Sequence, residues 1–257
     1  MSDDKADLEL EQYARQLILP DIGDDGQEAL RQSHLLIIGA GGLGVPILVN
    51  AAAAGFGHIT IMDDDVIERT NLNRQFIYEE GDIGHAKAEK AALFAQTQNP
   101  HIKVTANRER FSPATSQMVS AYDIIIDATD NPESRYLANK AALAAKKPLI
   151  FVSAIRFEGQ LSVFAPHLVG NENSPCYACL FPASPSAKQA PNCATVGILG
   201  AITSLMGSWA TIEAVKLVTN SGQPLIGELL LFDGLQNHID KIITKQQPHC
   251  PICQSQP

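Results

Sequence analysis

The chain has 257 residues, of which 45% are apolar and 18% charged, enough apolar material for a full α/β core and too little charge for an extended disordered protein. Its 28 acids against 19 bases leave a net charge of −9, which excludes a broad nucleic-acid surface. Any polyphosphate must therefore be met by locally placed cations.

The N-terminus, Met1-Ser2-Asp3-Asp4-Lys5, has no apolar core behind it and is not a signal peptide, so a cytoplasmic protein is expected. Residues 5–19 show helical spacing, with Leu8, Leu10, Tyr13, Leu17 and Ile18 as the expected buried face, and Pro20 ends the pattern. A short helix near Gly26–Arg31 leads into His34-Leu35-Leu36-Ile37-Ile38, an apolar run that reads as a buried strand. It feeds directly into Gly39-Ala40-Gly41-Gly42-Leu43-Gly44, and a helix is expected from there to Ala54, with Gly55 as its stop and Pro46 in its first turn.

A second strand, His58–Met62, ends in Asp63-Asp64-Asp65. Further along, helices are expected over Gly84–Gln98, from Ser112-Pro113, and from Asn131-Pro132 to Ala145; strands are expected over Ile102–Ala106, Asp123–Asp127 and Leu149–Ser153. This alternation predicts a largely parallel sheet with helices on both faces. After Ile155 the strands Gln160–Phe164, Glu228–Phe232 and His238–Ile243 follow without short helices between them, so the sheet should end antiparallel. The stretch Ala165–Thr195 is too long for a plain connection and is expected to be functional or mobile. A helix from Val196 to Ile212 approaches the lower limit for a membrane span, but with no second span or flanking basic cluster it reads as a buried helix, and no membrane is expected.

The glycine loop is G-x-G-x-x-G at a strand-to-helix turn, where backbone N–H groups face a phosphate. Asp63, directly after the second strand, suits a ribose hydroxyl better than Asp64 or Asp65, which also read as a solvated turn. These features serve NAD as well as ATP. Asn71-Leu72-Asn73-Arg74-Gln75 and Gly84-His85-Ala86-Lys87 then add two cations and an amide, and the charges of Arg74 and Lys87 suit a triphosphate. Asp130, past a strand's carboxyl end, could hold Mg²⁺ or cap the next helix; Arg15 and Gln16 could equally be a solvated face.

The pairs Cys176/Cys179 and Cys250/Cys253 fit a closed, structural Zn²⁺ site of four thiolates, with redox pairs as the competing reading. Cys193 stands alone just before the apolar helix, where a start near Val196 would favour its thiolate and make it a candidate reactive thiol; an inert small hydrophobe is the alternative.

Taken together, Gln12-Tyr13-Ala14-Arg15-Gln16, Gly39 to Gly44, Asn71 to Gln75, Lys87, Thr129-Asp130-Asn131, the cysteine pairs and Asn192-Cys193 resemble the MoeB/ThiF family, bacterial relatives of ubiquitin-activating enzymes. The resemblance implies one Rossmann-like adenylation unit over 1–257: N-terminal helices (1–32), a nucleotide-binding half (33–155), and a carrier-binding and zinc half (156–257). It implies ATP-dependent adenylation of the C-terminal glycine of a ubiquitin-like sulfur carrier ending in Gly-Gly. Gly39, Gly41, Gly42, Gly44, Asp63, Asn71, Arg74, Gln75 and Lys87 would bind ATP, Asp130 would coordinate Mg²⁺, and the four paired cysteines would hold zinc. Arg15 would reach into the neighbouring subunit's site, which implies a homodimer. Ala194, where the thiamine branch commonly has arginine, puts covalent carrier attachment at Cys193 in doubt. Gly227 to Gly234 resembles the thiamine branch, whereas Ile155 to Gln160 looks more like the molybdopterin branch, which is favoured slightly. The alternatives are an NAD-dependent oxidoreductase, which leaves Arg74, Lys87 and Asp130 unemployed, and a non-catalytic nucleotide-bound scaffold for the carrier.

Overall fold

Four consecutive apolar residues can be buried in a strand only if both faces of its sheet are covered, and His34–Ile38 (β1) meets that condition. Leu35 and Ile37 point into one apolar layer, with Ile47, Leu48, Ile59, Ile61 and Met206; Leu36 and Ile38 point into another, with Phe111, Ile125 and Phe151. The computed structural model describes residues 11–182 and 196–253. Residues 11–17 are helical (α1). There follow α2 (Gly23–Gln32), β1, α3 (Gly44–Ala54), β2 (His58–Met62), α4 (Lys87–Gln98), β3 (Lys103–Asn107), β4 (Ile124–Asp127), α5 (Pro132–Ala145), β5 (Leu149–Ile155) and β6 (Glu158–Phe164). The C-terminal part supplies α6 (Tyr177–Leu180), α7 (Gly200–Thr219), β7 (Glu228–Asp233) and β8 (His238–Ile243).

The strands form one sheet in the order β3-β2-β1-β4-β5-β6-β7-β8. The pairs from β3 to β5 are parallel and those from β5 to β8 antiparallel, as the change of pattern after Ile155 predicts. The chain runs outward from β1 through β2 to β3, then returns to place β4 on the other side of β1. The carboxyl ends of β1 and β4 therefore border the switch point where ligands collect in open α/β sheets. Among the described residues no helix is long and apolar enough to cross a membrane. The apolar α7 packs on α3 and carries a fully buried carboxylate, Glu213, which accepts the Leu225 N–H at 2.9 Å and faces the Lys216 ammonium at 2.5 Å.

Several boundaries differ from the sequence reading. Ile18 is exposed, because α1 ends at residue 17 and the chain turns there; Leu8 and Leu10 lie outside the described residues. α4 starts at Lys87 rather than Gly84, whose φ of +87° is left-handed and cannot join a right-handed helix. Ser112 caps no α-helix: Pro113 lies in a turn, and a 3₁₀ helix follows over Ser116–Ala121. The long apolar helix begins at Gly200, not Val196, because Gly197 is at φ +83° and Ile198 is extended in a bridge with Arg156. The helix terminus expected to favour a Cys193 thiolate is therefore displaced along the chain, and Cys193 lies outside the described residues.

Candidate active site

Two of the loop's glycines are required by close approach. A Cβ on Gly44 would stand 1.8 Å from the Gly39 carbonyl oxygen, and Gly39, at φ +105°, would put one 2.9 Å from the Ala128 carbonyl. This packing lays the loop against the end of β4. Gly42 faces Arg74, whose Cγ would lie 3.3 Å from an added Cβ, and Thr203 in the first turn of α7; Gly41 faces the Gln75 side chain. Gly200 sits against the backbone of Asn73 and Arg74, so the start of α7 closes this corner of the site.

Asp63 folds back onto the loop. Its carboxylate accepts the Ala40 N–H at 2.7 Å and the Asp65 N–H at 2.8 Å, and burial pushes its pKa above the ordinary value despite those two donors. Each carboxylate oxygen has a further lone pair, so a ribose hydroxyl can still be accepted. Lys87 is buried, its ammonium 2.8 Å from the exposed carboxylate of Asp65. Asp64 and Asp65 are exposed.

The segment Asn71–Tyr78 supplies the opposite wall. Asn71 is buried at the end of a 3₁₀ turn, where its Oδ1 accepts the Glu68 N–H, and its carbonyl accepts the N–H groups of both Arg74 and Gln75. Arg74 is half-buried, with Nη1 donating to the Thr70 carbonyl and the Asn73 side chain. Gln75 is 3% exposed, and its Oε1 has no hydrogen-bond partner. The Gln75 amide faces Gly41 through Nε2, and its Oε1 is left able to accept a further hydrogen bond. Tyr78, for which no sequence signal exists, is buried behind the loop and donates to the carbonyls of Ala40 and Lys87.

At the end of β4, Asp130 is exposed, and among the described residues no hydrogen bond or ion pair engages its carboxylate. The cap of α5 is Asn131, whose side chain accepts the Ser134 N–H, so Asp130 is not spent on the helix. An exposed carboxylate at a switch point fits Mg²⁺, which is held by one or two carboxylates together with phosphate oxygens. Sequence reading passed over Asp127, which is 1% exposed, accepts the Thr129 N–H and hydroxyl, and has its pKa raised by burial. The nearby Arg135 guanidinium works in the opposite direction. It stacks over Phe151 at 5.0 Å and donates to the Thr129 carbonyl.

Arg15 does not join this cluster. It is exposed on α1, which is tied to the far end of α3 through Gln16 and the Ala54 carbonyl, about 16 Å along the helix from the glycine loop.

Cys176, Cys179, Cys250 and Cys253 converge although 74 residues separate Cys176 from Cys250. Their sulfurs approach at 3.9, 3.7 and 3.5 Å, too far for disulfide bonds and close to the edge of about 3.8 Å for a tetrahedron with Zn–S bonds of about 2.3 Å. The donor set fits zinc. Burial opposes the Cys250 thiolate, yet the N–H groups of Cys253 and Ile252 bring its thiol down to about 7, while burial pushes Cys253 up to about 11. The centre rests on α5, where Asn139 accepts the Tyr177 N–H at 3.0 Å.

The ThiF family model matches residues 13–252. A sulfur carrier protein adenylyltransferase of Thermus thermophilus is 40% identical over 250 residues, covering 97% of this chain and 92% of that protein. A SAMP-activating enzyme E1 of Haloferax volcanii is 36% identical over 95% of this chain and 89% of its own. An adenylyltransferase and sulfurtransferase MOCS3 of Drosophila sechellia is 39% identical, and this chain spans 54% of its length. Among solved structures, E. coli MccB with MccA-N7isoASN superposes with a TM-score of 0.81 at 20% identity, covering 95% of this chain and 74% of that one; MccB with ATP gives 0.77, covering 90% and 70%. These two share the fold.

Proposed function

The chain belongs to the ThiF family, and we propose that the cradle formed by the glycine loop, Asn71, Arg74, Gln75 and Lys87 holds ATP for attack by a carrier's terminal carboxylate. The protein is an adenylyltransferase of ubiquitin-like sulfur carrier proteins. The observation that carries the assignment of the cradle is a buried Lys87 joined through Tyr78 to a glycine loop whose Gly42 abuts Arg74.

The chemistry is a displacement at phosphorus. An oxygen of the carrier's C-terminal glycine carboxylate bonds to the α-phosphorus, the bond from that phosphorus to the bridging oxygen breaks, and pyrophosphate leaves with the electron pair. Both reactants are anions, so the work of the site is to lower repulsion and to stabilise charge on the departing group. The N–H groups of Gly41 and Gly42, the Arg74 guanidinium and the Lys87 ammonium do this around the triphosphate, while Asp63 accepts from the ribose. Asp130 would hold Mg²⁺, which when bound screens phosphate charge. Zinc in the four-cysteine centre would tie the C-terminal segment to α6 and α5 and take no part in the displacement, since all four positions are filled by protein.

Because Arg15 is a helix length from the loop of its own chain, it would complete the site of a second copy in a homodimer. The carrier's extended Gly-Gly tail would run past Arg156–Gln160, the turn and the start of β6, where Arg156 is held at φ +52° by bonds to Gly197 and Leu199. The similarity of that segment to the molybdopterin branch favours a carrier of molybdopterin synthesis over one of thiamine synthesis. Cys193 would act after adenylation, as an acceptor of the activated carrier.

Incubation with each carrier type, ATP, magnesium and labelled pyrophosphate tests the reading. Exchange of label into ATP that requires the carrier's terminal glycine is expected, faster with the molybdopterin-type carrier. ATP binding without exchange would reduce the protein to a scaffold, and NADH binding without exchange would restore the oxidoreductase.

A further inference from the structure

Tyr78 is 5% exposed and belongs to no motif. Its N–H donates to the Gln75 carbonyl at 3.1 Å, which fixes it one turn beyond the Arg74–Gln75 wall. Its hydroxyl lies 2.9 Å from the Ala40 carbonyl and 3.2 Å from the Lys87 carbonyl, so one proton is shared between two segments that are 47 positions apart.

Those contacts close a circuit. From Ala40 the path runs through its N–H to Asp63, from Asp63 to the Asp65 N–H, from the Asp65 carboxylate to the Lys87 ammonium, and from the Lys87 carbonyl through Tyr78 back to Ala40. Asp63 and Tyr78 thus grip Ala40 from its two polar sides, immediately before the amides of Gly41 and Gly42. Burial, with Asp63 and Asp82 nearby, pushes the phenol's pKa far above its usual value, so the hydroxyl remains a donor at any working pH.

We propose that Tyr78 is a positioning residue of the nucleotide site, whose hydroxyl fixes the spacing between the Gly41–Gly42 amides and the Lys87 ammonium before nucleotide arrives. The inference rests on reading the cradle as a triphosphate site. Donors held in place need not reorganise when charge arrives, and that is the gain from such a clamp. Without the hydroxyl, the buried Ala40 carbonyl loses this donor, and the two segments stay joined through the carboxylates of Asp63 and Asp65 and through the Lys87 N–H, which donates to the Asp65 carbonyl at 3.0 Å.

Tyr78→Phe keeps the ring and its packing and removes only the hydroxyl. Three measurements on the full chain decide the matter: ATP–pyrophosphate exchange kinetics, amide hydrogen exchange of the nucleotide-free protein, and thermal unfolding. The clamp holds the triphosphate equally before and during reaction, so KM for ATP should rise about 3- to 10-fold with kcat little changed. Amides of residues 39–44 and 84–88 should exchange faster together, while the rest of the sheet is unaffected. Unchanged KM with unchanged exchange in both segments overturns the proposal, and so does faster exchange spread evenly over the chain, which would make Tyr78 a general packing residue. If the wild-type protein failed to bind ATP, the nucleotide reading would fall, and faster hydrogen exchange confined to the two segments would still support the clamp between them.

Discussion

The Lys87 ammonium lies 2.8 Å from the Asp65 carboxylate, with the lysine side chain 8% exposed and the aspartate 69% exposed. A charge is thus kept in a buried position by a partner that remains largely in water. The arrangement is economical for an anion site, because the incoming phosphate meets a cation already stripped of most of its solvent, and Asp65 can return to water when displaced.

Lys87→Met follows from this pair. Methionine retains the apolar stem, and the Asp65 left behind is solvated, so thermal stability should change little. Exchange of pyrophosphate into ATP should fall about 10²- to 10³-fold, the usual cost of removing one donor aimed at developing charge. A variant with the wild-type rate would remove Lys87 from the site.

Arg15 offers a test of subunit sharing. Arg15→Ala and Lys87→Met should each be nearly inactive alone. In a mixed dimer, one of the two sites has its own Lys87 and the other chain's Arg15. After unfolding and co-refolding of equal amounts, activity should recover to about a quarter of wild type, since half the dimers are mixed and half their sites intact. Failure to recover, with mixed dimers shown to form, would confine Arg15 to its own chain.

The buried Asp127 makes a pH-dependent contribution. Burial raises its folded-state pKa above the unfolded value, so the folded chain holds a proton that the unfolded chain has released. Stability from this group is present below the unfolded pKa and is lost as pH rises through the folded one. Asp127→Asn keeps an oxygen for Thr129 and does not titrate. The difference in unfolding free energy, variant minus wild type, should therefore increase as pH is raised from about 4 to 7. A difference independent of pH would mean that Asp127 titrates normally.

The four-cysteine centre predicts about one zinc per chain by elemental analysis. Cys253→Ser should lower the metal content and the unfolding midpoint, by about 6 to 12 °C for a loss of about 3 kcal/mol at this chain length. Midpoints unchanged by the substitution and by chelation would leave the cluster without a structural role.

Much of the fold is legible because β1, β2, β4 and β5 are apolar runs of four to seven residues bounded by glycine, proline and acidic turns. β1 and β4, filled with leucine and isoleucine, admit hardly any other reading. The start of α4 was not legible, since nothing in Gly84-His85-Ala86 reveals a left-handed glycine. The displaced start of α7 has the same origin at Gly197. In the site, glycines, cations and cysteines were visible because their chemistry is written in residue type. Asp127 and Tyr78 were not, because one is distinguished only by its burial and the other only by the backbone carbonyls it meets. The site share of Arg15 depends on a neighbour that no single-chain pattern contains.

The corner where Gly42 meets Thr203 and Gly200 meets Asn73 also bears on how the molecule is made. A growing chain can pair β1 with β2 early, but the third wall of the cradle arrives only when α7 has emerged, some 160 residues after the loop it leans on. ATP protection against proteolysis should therefore appear late in synthesis and abruptly, which makes nucleotide retention a reporter of completed assembly rather than of the N-terminal half alone.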